Sequence, residues 1–308
     1  MIDMRVRVGS LVFDNPLLAA SGTYGFGREM SEFYRLDRLG GIVTKAVTRE
    51  PRIGNPPHRI AETAGGMLNA VGLQNPGIDS VLRDELPWLL KQHVPVVVNI
   101  AGRDLSDYVV LTDNLVGSGI SAVELNLSCP NVKTGCMAIG SEPDLIEAVT
   151  RACKRAADVP VWVKLTPNVT HIGDMAKAAE AGGADAISLI NTLLGMRIDI
   201  RTRRPVIKNN TGGYSGPGVF PVALRMVHEC SQAVRIPVVG IGGIHTAEGV
   251  IEMMLAGASA VQIGTANLID PYAMPDILDA LPGLLNELGA EAMAALTGAV
   301  QPWQEGAR

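Results

Sequence analysis

Eight short apolar runs, most of them rich in β-branched residues, constrain the fold of this chain more than any other feature. Stretches of helical periodicity lie between most of these runs, for example Glu142–Ala157 and Ile172–Ala181. Near-continuous apolar strands that alternate with helices are typical of a parallel sheet with both faces covered. In chain order the predicted strands are Pro16–Ser21, Gly41–Val47, Pro95–Ala101, Ala122–Cys129, Val159–Thr166, Ala186–Thr192, Ile236–Gly243 and Ala260–Thr265.

Eight such strands predict an α/β fold, a (β/α)8 TIM barrel, with an open doubly wound sheet as the alternative. Against the open sheet, no Gly-x-Gly-x-x-Gly motif follows the first predicted strand, and Gly240-Ile-Gly-Gly243 comes late and lacks the third glycine. The alternating segment Arg5–Phe13 is predicted to form a small N-terminal hairpin that closes the barrel bottom. The length of 308 residues suits one barrel, and no linker interrupts it, so we expect residues 1–308 to form a single domain.

Composition excludes several classes of protein. A net charge of −5 without a basic block, together with 4% aromatic residues, argues against a nucleic-acid-binding surface. The chain has no apolar run of about 20 residues and no apolar signal core at its N-terminus, so we expect a cytoplasmic protein without membrane association. The four cysteines and five histidines show no metal-binding spacing, and we expect no metal centre.

The thiol of Cys129 lies at the end of the fourth predicted strand, between Asn126 and Asn131. Because Pro130 stops the strand there, the thiol would stand at a sheet edge beside amides that can orient a planar polar ligand. A small buried hydrophobe is the plainer interpretation, since free cysteine is among the most buried residue types. The choice between them depends on what the other strands carry at the same end.

The carboxyl ends of the strands carry the chemistry in barrels of this type. Two lysines, Lys45 and Lys164, end runs that are otherwise apolar, and an unpaired buried ammonium is too costly for simple packing. A lysine whose stem packs while its head reaches water is the alternative. The remaining strand-end residues are Ser21, Thr44, Ala46, Asn99, Asn126, Thr166, Asn191, Thr192, Gly242, Gly243, Gly264 and Thr265. Several asparagines that meet at one barrel mouth predict a site for a polar ligand.

The glycines after the last two predicted strands indicate a phosphate site. Gly242-Gly243 and Gly264-Thr265 stand where barrels commonly bind phosphate through bare backbone amides, and the glycine-rich segment Gly212–Gly218 could add another amide. A thiol, two lysines, amides and a phosphate pocket without a metal predict a phosphate-bearing organic cofactor such as FMN. A Schiff-base aldolase that uses Lys164 is the competing interpretation, and it leaves Cys129 unexplained.

Long motifs spread over about residues 5 to 280 match a known family. They are Ala20–Gly27, Thr44–Thr48, Gly54–Pro57, Met67–Gly77, Asn126–Gly135 (Asn-Leu-Ser-Cys-Pro-Asn-Val-Lys-Thr-Gly), Asn191–Met196 and Gly257–Ala266. The chain resembles the class 1 dihydroorotate dehydrogenases. The runs Thr23–Gly27 and Leu68–Gly77 are closer to class 1B, the catalytic subunit of the NAD-linked enzymes, than to the fumarate-reducing class 1A.

The resemblance implies one FMN per chain at the barrel mouth, with dihydroorotate beside it. The implied FMN-binding residues are Ser21, Lys45, Ala46, Asn99, Asn126, Lys164, Ile190, Gly216, Gly242, Gly243, Gly264 and Thr265. The implied substrate-binding residues are Lys45, Asn69, Ala70, Val71, Gly72, Leu73, Asn126, Asn131, Asn191 and Thr192.

The resemblance also implies the reaction, which is the oxidation of (S)-dihydroorotate to orotate in de novo pyrimidine (UMP) biosynthesis. Cys129 would take the C5 proton while hydride leaves C6 for the flavin N5. The chain itself has no dinucleotide fingerprint and no iron–sulfur cysteine cluster. The resemblance therefore implies a separate electron-transfer subunit that carries FAD and [2Fe-2S], in a heterotetramer of two subunits of each kind. The alternatives are a stand-alone class 1A-type enzyme that uses fumarate, and a barrel that binds FMN or pyrimidine as a sensor.

Cys136 departs from the family pattern, because similar sequences commonly have glycine there. It lies seven residues after Cys129. The simpler interpretation is a tolerated substitution, and a redox-sensitive disulfide between the two thiols is the sharper hypothesis.

Overall fold

The computed structural model describes residues 2–127 and 139–303, and their central feature is a closed barrel of eight parallel strands. Around the barrel the strand order is β3-β4-β7-β8-β9-β10-β15-β16, and β16 closes onto β3. The barrel strands are β3 (Leu17–Ala19), β4 (Gly41–Val43), β7 (Val96–Ile100), β8 (Ala122–Asn126), β9 (Val161–Lys164), β10 (Ala186–Leu189), β15 (Val238–Ile241) and β16 (Ala258–Ile263). The predicted TIM barrel is therefore confirmed.

The strands are buried on both faces because their residues are apolar without alternation. In β7, for example, all five residues are buried. Most strands are shorter than the predicted runs, since pairing stops at the rim of the barrel. The fourth strand shows this: the structure describes residues 122–127 of the predicted run Ala122–Cys129, and the last pair of β8 joins Asn126 to Lys164.

Helices cover the outside of the barrel. The longer ones are α3 (Leu105–Asn114), α4 (Pro143–Ala156), α5 (Ile172–Ala181), α6 (Phe220–Ala233), α7 (Ala247–Leu255) and α9 (Ala273–Glu287); the shorter ones are α1 (Ile78–Ser80), α2 (Leu86–Leu90) and α8 (Ala266–Ile269), and a π-helical turn, Val81–Glu85, joins α1 to α2. In α4 the buried residues Ile146, Val149, Thr150 and Cys153 recur at helical spacing and form the inner face. Across residues 2–127 and 139–303, no helix has both the length and the apolar character that crossing a membrane requires.

The N-terminal hairpin lies at the amino ends of the barrel strands, as predicted. Its strands β1 (Val6–Val8) and β2 (Leu11–Phe13) pair antiparallel. The ring of Phe13 meets the ring of Trp162 edge to face, with centroids 6.2 Å apart, and both side chains are buried. Trp162 is the second residue of β9, so this aromatic pair forms the floor of the barrel.

A second, antiparallel sheet of four strands was not predicted. Its order is β11-β14-β6-β5, and its strands are β5 (Ile60–Thr63), β6 (Gly66–Asn69), β11 (Leu193–Gly195) and β14 (Gly212–Ser215). The first two strands come from the segment after β4 and the other two from the segment after β10. A small separate core of Leu68, Ala70 and Ile207 packs against it. A two-stranded ribbon, β12 (Ile198–Asp199) with β13 (Arg204–Pro205), lies between β11 and β14 in the chain.

Candidate active site

A cavity of about 290 Å³ opens at the carboxyl ends of the barrel strands, with the four-stranded sheet as one wall. The predicted site residues that line it are Ser21, Lys45, Ala46, Asn69, Val71, Gly72, Leu73, Asn126, Lys164, Ile190, Asn191, Thr192, Gly242, Gly243, Gly264 and Thr265. Residues scattered from position 21 to position 265 therefore meet around one space. The cavity is also lined by residues to which the sequence analysis assigned no individual role: Ala20, Gly22, Thr23, Ile60, Met67, Tyr214, Ser215, Val219, Ile241 and Leu268.

Of the predicted site residues that the structure describes, three lie outside this lining. Asn99 and Ala70 are fully buried, Asn99 within the barrel and Ala70 in the core of the four-stranded sheet. Gly216 has a φ of +107°, and a Cβ there would lie 2.6 Å from the Cα of Gly66, so glycine allows these two segments to approach closely. The cofactor and substrate roles assigned to these three residues stay predictions.

Cys129 and Asn131, predicted as the base and as a substrate ligand, lie outside the described residues, as does Cys136. The structure does show the other two cysteines, and both are buried. Burial raises the pKa of the Cys153 thiol to about 11 and that of Cys230 to about 12. These two thiols remain protonated near neutral pH, so neither is suited to act as a base.

The two lysines reach the cavity in different ways. Lys164 ends β9 and is only 4% exposed, with its Nζ 3.9 Å from a carboxylate oxygen of Glu124. Lys45 follows β4 and is half-buried, and its backbone amide donates to the carbonyl of Gly25 at 2.9 Å. The Nζ of Lys45 lies 3.9 Å from the position that a Cβ on Gly22 would occupy, so the ammonium stands beside that glycine turn. The cavity thus combines a deeply buried cation with a more accessible one.

Glu124 is a buried acid that the sequence analysis did not single out. It is fully buried in the middle of β8, beneath the cavity. Its Oε1 accepts a hydrogen bond from the Nδ2 of Asn99 at 2.6 Å. Its Oε2 accepts from Ser188 Oγ and from Gln262 Nε2, each at 2.7 Å. The sequence signal was present, because a glutamate interrupts the apolar run of β8, and a buried carboxylate requires partners.

Two amide side chains at the cavity are held by neighbouring backbone groups. Asn191 Oδ1 accepts from the Thr192 amide at 2.9 Å. At Asn126 the backbone carbonyl accepts from Tyr108 Oη at 2.6 Å, which fixes the end of β8. Asn69 Nδ2 donates to the carbonyl of Gly213 at 3.4 Å, which ties β6 to β14. The contacts of Asn191 and Asn69 restrict these two side-chain amides before any ligand arrives, which favours selective binding of a planar polar molecule.

The loop at residues 69–73 is fixed in an unusual conformation. Gly72 and Leu73 both have positive φ, at +79° and +56°. Asn75 holds the loop in place: its Nδ2 donates to the Leu73 carbonyl at 2.7 Å, and its Oδ1 accepts from the Thr48 amide at 3.1 Å. A non-glycine residue with positive φ is uncommon, and such residues cluster at functional sites. Asn75 is therefore a supporting residue that sequence reasoning missed.

The comparison with known proteins identifies the family. A family model described as dihydroorotate dehydrogenase matches residues 3–285. This chain belongs to the dihydroorotate dehydrogenase family. The Geobacillus sp. (strain WCH70) relative is 52% identical over 306 residues, which cover 99% of this chain and 97% of that protein. The Bacillus cereus (strain B4264) relative is 52% identical over 303 residues, which cover 98% of this chain and 97% of that protein.

Both relatives are named dihydroorotate dehydrogenase B (NAD(+)), catalytic subunit. The resemblance of the sequence motifs to the NAD-linked type of this family is thereby confirmed. The dihydroorotate dehydrogenase family implies a flavin cofactor, and the words "catalytic subunit" imply a separate partner subunit.

The cavity of this dihydroorotate dehydrogenase barrel has donors that suit the phosphate of a flavin nucleotide. Among the described residues, the backbone amides of Gly242, Gly243, Gly264 and Thr265 donate to no protein acceptor. Gly242 and Gly243 have φ values of +126° and +75°, a conformation that favours glycine. The hydroxyl of Thr265 donates to Ser215 Oγ at 2.9 Å, which links this edge to the four-stranded sheet. Unmet amides on a cavity wall are good ligands for an anion.

Proposed function

We propose that this chain oxidises (S)-dihydroorotate to orotate, a step of de novo pyrimidine (UMP) biosynthesis, as the catalytic subunit of an NAD-linked dihydroorotate dehydrogenase. The observation that carries the proposal is the meeting of Lys45, Lys164 and the amide cluster at the mouth of a barrel of this family. The NAD-linked type rests on the names of its relatives, which also disfavour a stand-alone enzyme that uses fumarate.

The flavin is proposed to be FMN, one per chain. Its phosphate would lie against the free amides of Gly242, Gly243, Gly264 and Thr265, and the Lys164 ammonium would stand at its ring. When bound, the flavin would supply the acceptor for the hydride that leaves C6 of dihydroorotate. Ile190 and the four-stranded sheet form walls of this space.

The substrate suits the polar groups of the cavity. Dihydroorotate presents a carboxylate and a cyclic ureide, whose donors and acceptors lie close to one plane. Side-chain amides such as Asn126 and Asn191 offer both a donor and an acceptor. The Lys45 ammonium supplies a charge-assisted partner for the carboxylate. These residues would orient C5 and C6 without taking part in bond changes.

Cys129 is proposed as the base that takes the C5 proton through its Sγ. It lies outside the described residues, and support comes from its place in the chain three residues after Asn126, which ends β8 at the cavity. A thiol with its ordinary pKa of about 8.5 is only partly ionised at neutral pH, so a nearby cation would help this role. One proton leaves to Cys129 and one hydride leaves to the flavin, which balances the oxidation.

The partner subunit is proposed to carry FAD and [2Fe-2S] and to pass electrons to NAD, in a heterotetramer of two catalytic and two electron-transfer subunits. This chain would then reduce NAD only through the partner.

The proposal is tested with the full-length chain, purified alone and with its co-eluting partner. Mass spectrometry of the released cofactor should identify FMN rather than FAD. Anaerobic addition of dihydroorotate should bleach the flavin of the chain alone, and NAD reduction should require the partner. Rapid turnover of the isolated chain with fumarate would instead support the stand-alone type. A flavin that dihydroorotate leaves oxidised would overturn the assignment.

A further inference from the structure

Glu124 is a fully buried carboxylate with three hydrogen-bond donors directed at its two oxygens. Its neighbours Asn99, Ser188 and Gln262 come from three other strands of the barrel, β7, β10 and β16. An ionised carboxylate only accepts hydrogen bonds, so three donors around Glu124 match its ionised form. The negative charge of Glu124 is thus fixed in the barrel interior, where an uncompensated ion is strongly disfavoured.

The compensating cation is Lys164. Its Nζ lies 3.9 Å from Glu124 Oε1, and within the described part of the chain this is the ion pair that Glu124 forms. The side chain of Lys164 is 6% exposed and also lines the cavity. The ammonium therefore stands between the buried carboxylate on one side and the cavity on the other. The position of the ammonium is therefore set by Glu124 as well as by strand β9, which carries Lys164.

Glu124 also fixes the orientation of two amides. Because the carboxylate takes the Nδ2 of Asn99 and the Nε2 of Gln262, both amide oxygens must point away from it. Asn99 Oδ1 and Gln262 Oε1 are buried and have no hydrogen-bond partner among the described residues. A buried amide oxygen without a donor is unusual in a native protein, so the orientation of these two amides is attributed to the carboxylate that their nitrogens contact.

We propose that Glu124 is a positioning residue that holds the Lys164 ammonium in place and thereby sets how strongly the site stabilises the reduced, anionic form of the flavin. This inference rests on the proposed function for the identity of the cofactor. A cation fixed beside the flavin ring favours reduction, because it stabilises the negative charge of the reduced flavin without having to move into place. A lysine without its carboxylate would be free to leave that position. Loss of Glu124 should therefore make the flavin harder to reduce.

The sign of the effect separates this proposal from a simpler one. If the Glu124 charge acted on the flavin directly, its removal would favour the anion and raise the midpoint potential. If Glu124 acts through Lys164, its removal lowers the midpoint potential. The same substitution should then have little effect once Lys164 is replaced.

The experiment measures the midpoint potential of the flavin bound to the full-length chain, by dithionite titration against a reference dye. Four proteins form the cycle: wild type, Glu124→Gln, Lys164→Met and the double variant. The expected result is a fall in potential for each single variant and no further fall in the double variant. An unchanged or raised potential in Glu124→Gln, or an equal shift in both lysine backgrounds, would overturn the proposal.

Two further variants keep the test decisive. Ser188→Ala removes one hydrogen bond to the same carboxylate but keeps the ion pair, so its potential should stay close to that of wild type. If Glu124→Gln does not fold or does not hold flavin, Glu124→Asp replaces it. Asp retains the charge but withdraws it from Lys164, so a smaller fall is expected and an unchanged potential would reject the proposal. Dihydroorotate is absent from these titrations, so failure of the proposed reaction would show up separately.

Discussion

The two ends of the barrel interior are built from different residues. At the amino end, the rings of Phe13 and Trp162 pack edge to face and are buried. At the carboxyl end, Asn126 and Lys164 line a polar cavity. Trp162 and Lys164 are two residues apart on β9, so one strand directs a side chain of each kind into the same interior. The contrast shows that one barrel is packed for stability at its amino end and carries the polar groups of its site at its carboxyl end.

The largest effect is expected for Cys129, the proposed base, and the packing of Phe13 on Trp162 should not change. Cys129→Ala should lower turnover by about 10³-fold, since general-base catalysis contributes about 10²–10⁴-fold, while the flavin stays bound. Steady-state oxidation of dihydroorotate, normalised to flavin absorbance, measures it. Cys129→Ser should retain some activity because a hydroxyl can relay a proton.

Cys136→Ala is the matched control for that loss. It replaces a thiol seven residues away to which we assign no proton transfer, so its turnover should remain near that of wild type. Near wild-type turnover in Cys129→Ala itself would remove Cys129 from the mechanism.

The second prediction concerns stability at the amino end of the barrel, where Phe13 packs on Trp162, and the cavity at the other end should be unaffected. Phe13→Ala should lower the free energy of unfolding by about 3–5 kcal/mol, because it opens a cavity against Trp162. Urea denaturation measures this, and turnover per folded molecule should stay close to that of wild type. Val12→Ala on the same strand is the control; Val12 is 51% exposed, so its change should stay within about 0.5 kcal/mol. A large loss of turnover in folded Phe13→Ala would show that the two ends are coupled.

The third prediction tests whether Lys45 at the cavity binds the carboxylate of the substrate. Lys45→Met should raise the KM for dihydroorotate by roughly 10–150-fold, since a hydrogen bond to a charged group contributes about 1.5–3 kcal/mol. Steady-state kinetics at constant ionic strength measures it. Lys91→Met, a change of an exposed lysine that ends no barrel strand, is the control and should leave KM unaltered. An unchanged KM in Lys45→Met would place the substrate carboxylate elsewhere.

The smallest expected effect is a loss of stability at alkaline pH that a buried thiol causes, and this thiol lies at neither end of the barrel. Burial in α4 raises the pKa of Cys153 to about 11, above the ordinary value of a thiol. Above the ordinary pKa the unfolded thiol loses its proton while the folded one keeps it, so the stabilising contribution is present below about pH 9 and is lost as pH rises towards 11.

Urea denaturation at about pH 8 and about pH 10.5 measures this loss. Cys153→Ala should reduce the alkaline loss of stability by on the order of 1–2 kcal/mol relative to wild type. The constant cost of the cavity cancels in the difference between the two pH values. An identical alkaline loss in the variant would show that other groups cause it.

The barrel could be predicted from the sequence, whereas the sheet over its mouth could not. Strands such as β7 are unbroken apolar runs, and burial alone specifies them. The strands β6 and β14 are four residues long and begin with glycine, and their partners are distant in the chain. Short segments of this kind carry little periodic signal, so their pairing depends on the completed barrel.

The same distinction applies to the site. The lysines, amides and glycines at the strand ends could be predicted because parallel strands bring all their carboxyl ends together. The partnership of Glu124 with Lys164 could not, because the two residues are 40 positions apart in the numbering and their contact depends on how β8 and β9 are paired. The glutamate itself was visible within an apolar run. Which residue the glutamate pairs with depends on the register of β8 against β9, and that register exists only in the folded sheet.

The pairing of β6 with β14 has a consequence for the order of events during translation. Gly213 is synthesised 144 residues after its partner Asn69. At about 5–20 residues per second, the ribosome needs on the order of 10 seconds to cover that distance. During this interval the segment that carries Asn69 has no β14 to pair with, and one wall of the cavity does not yet exist. The finished cavity therefore forms only after β14 has left the ribosome, and we expect flavin to bind late in maturation.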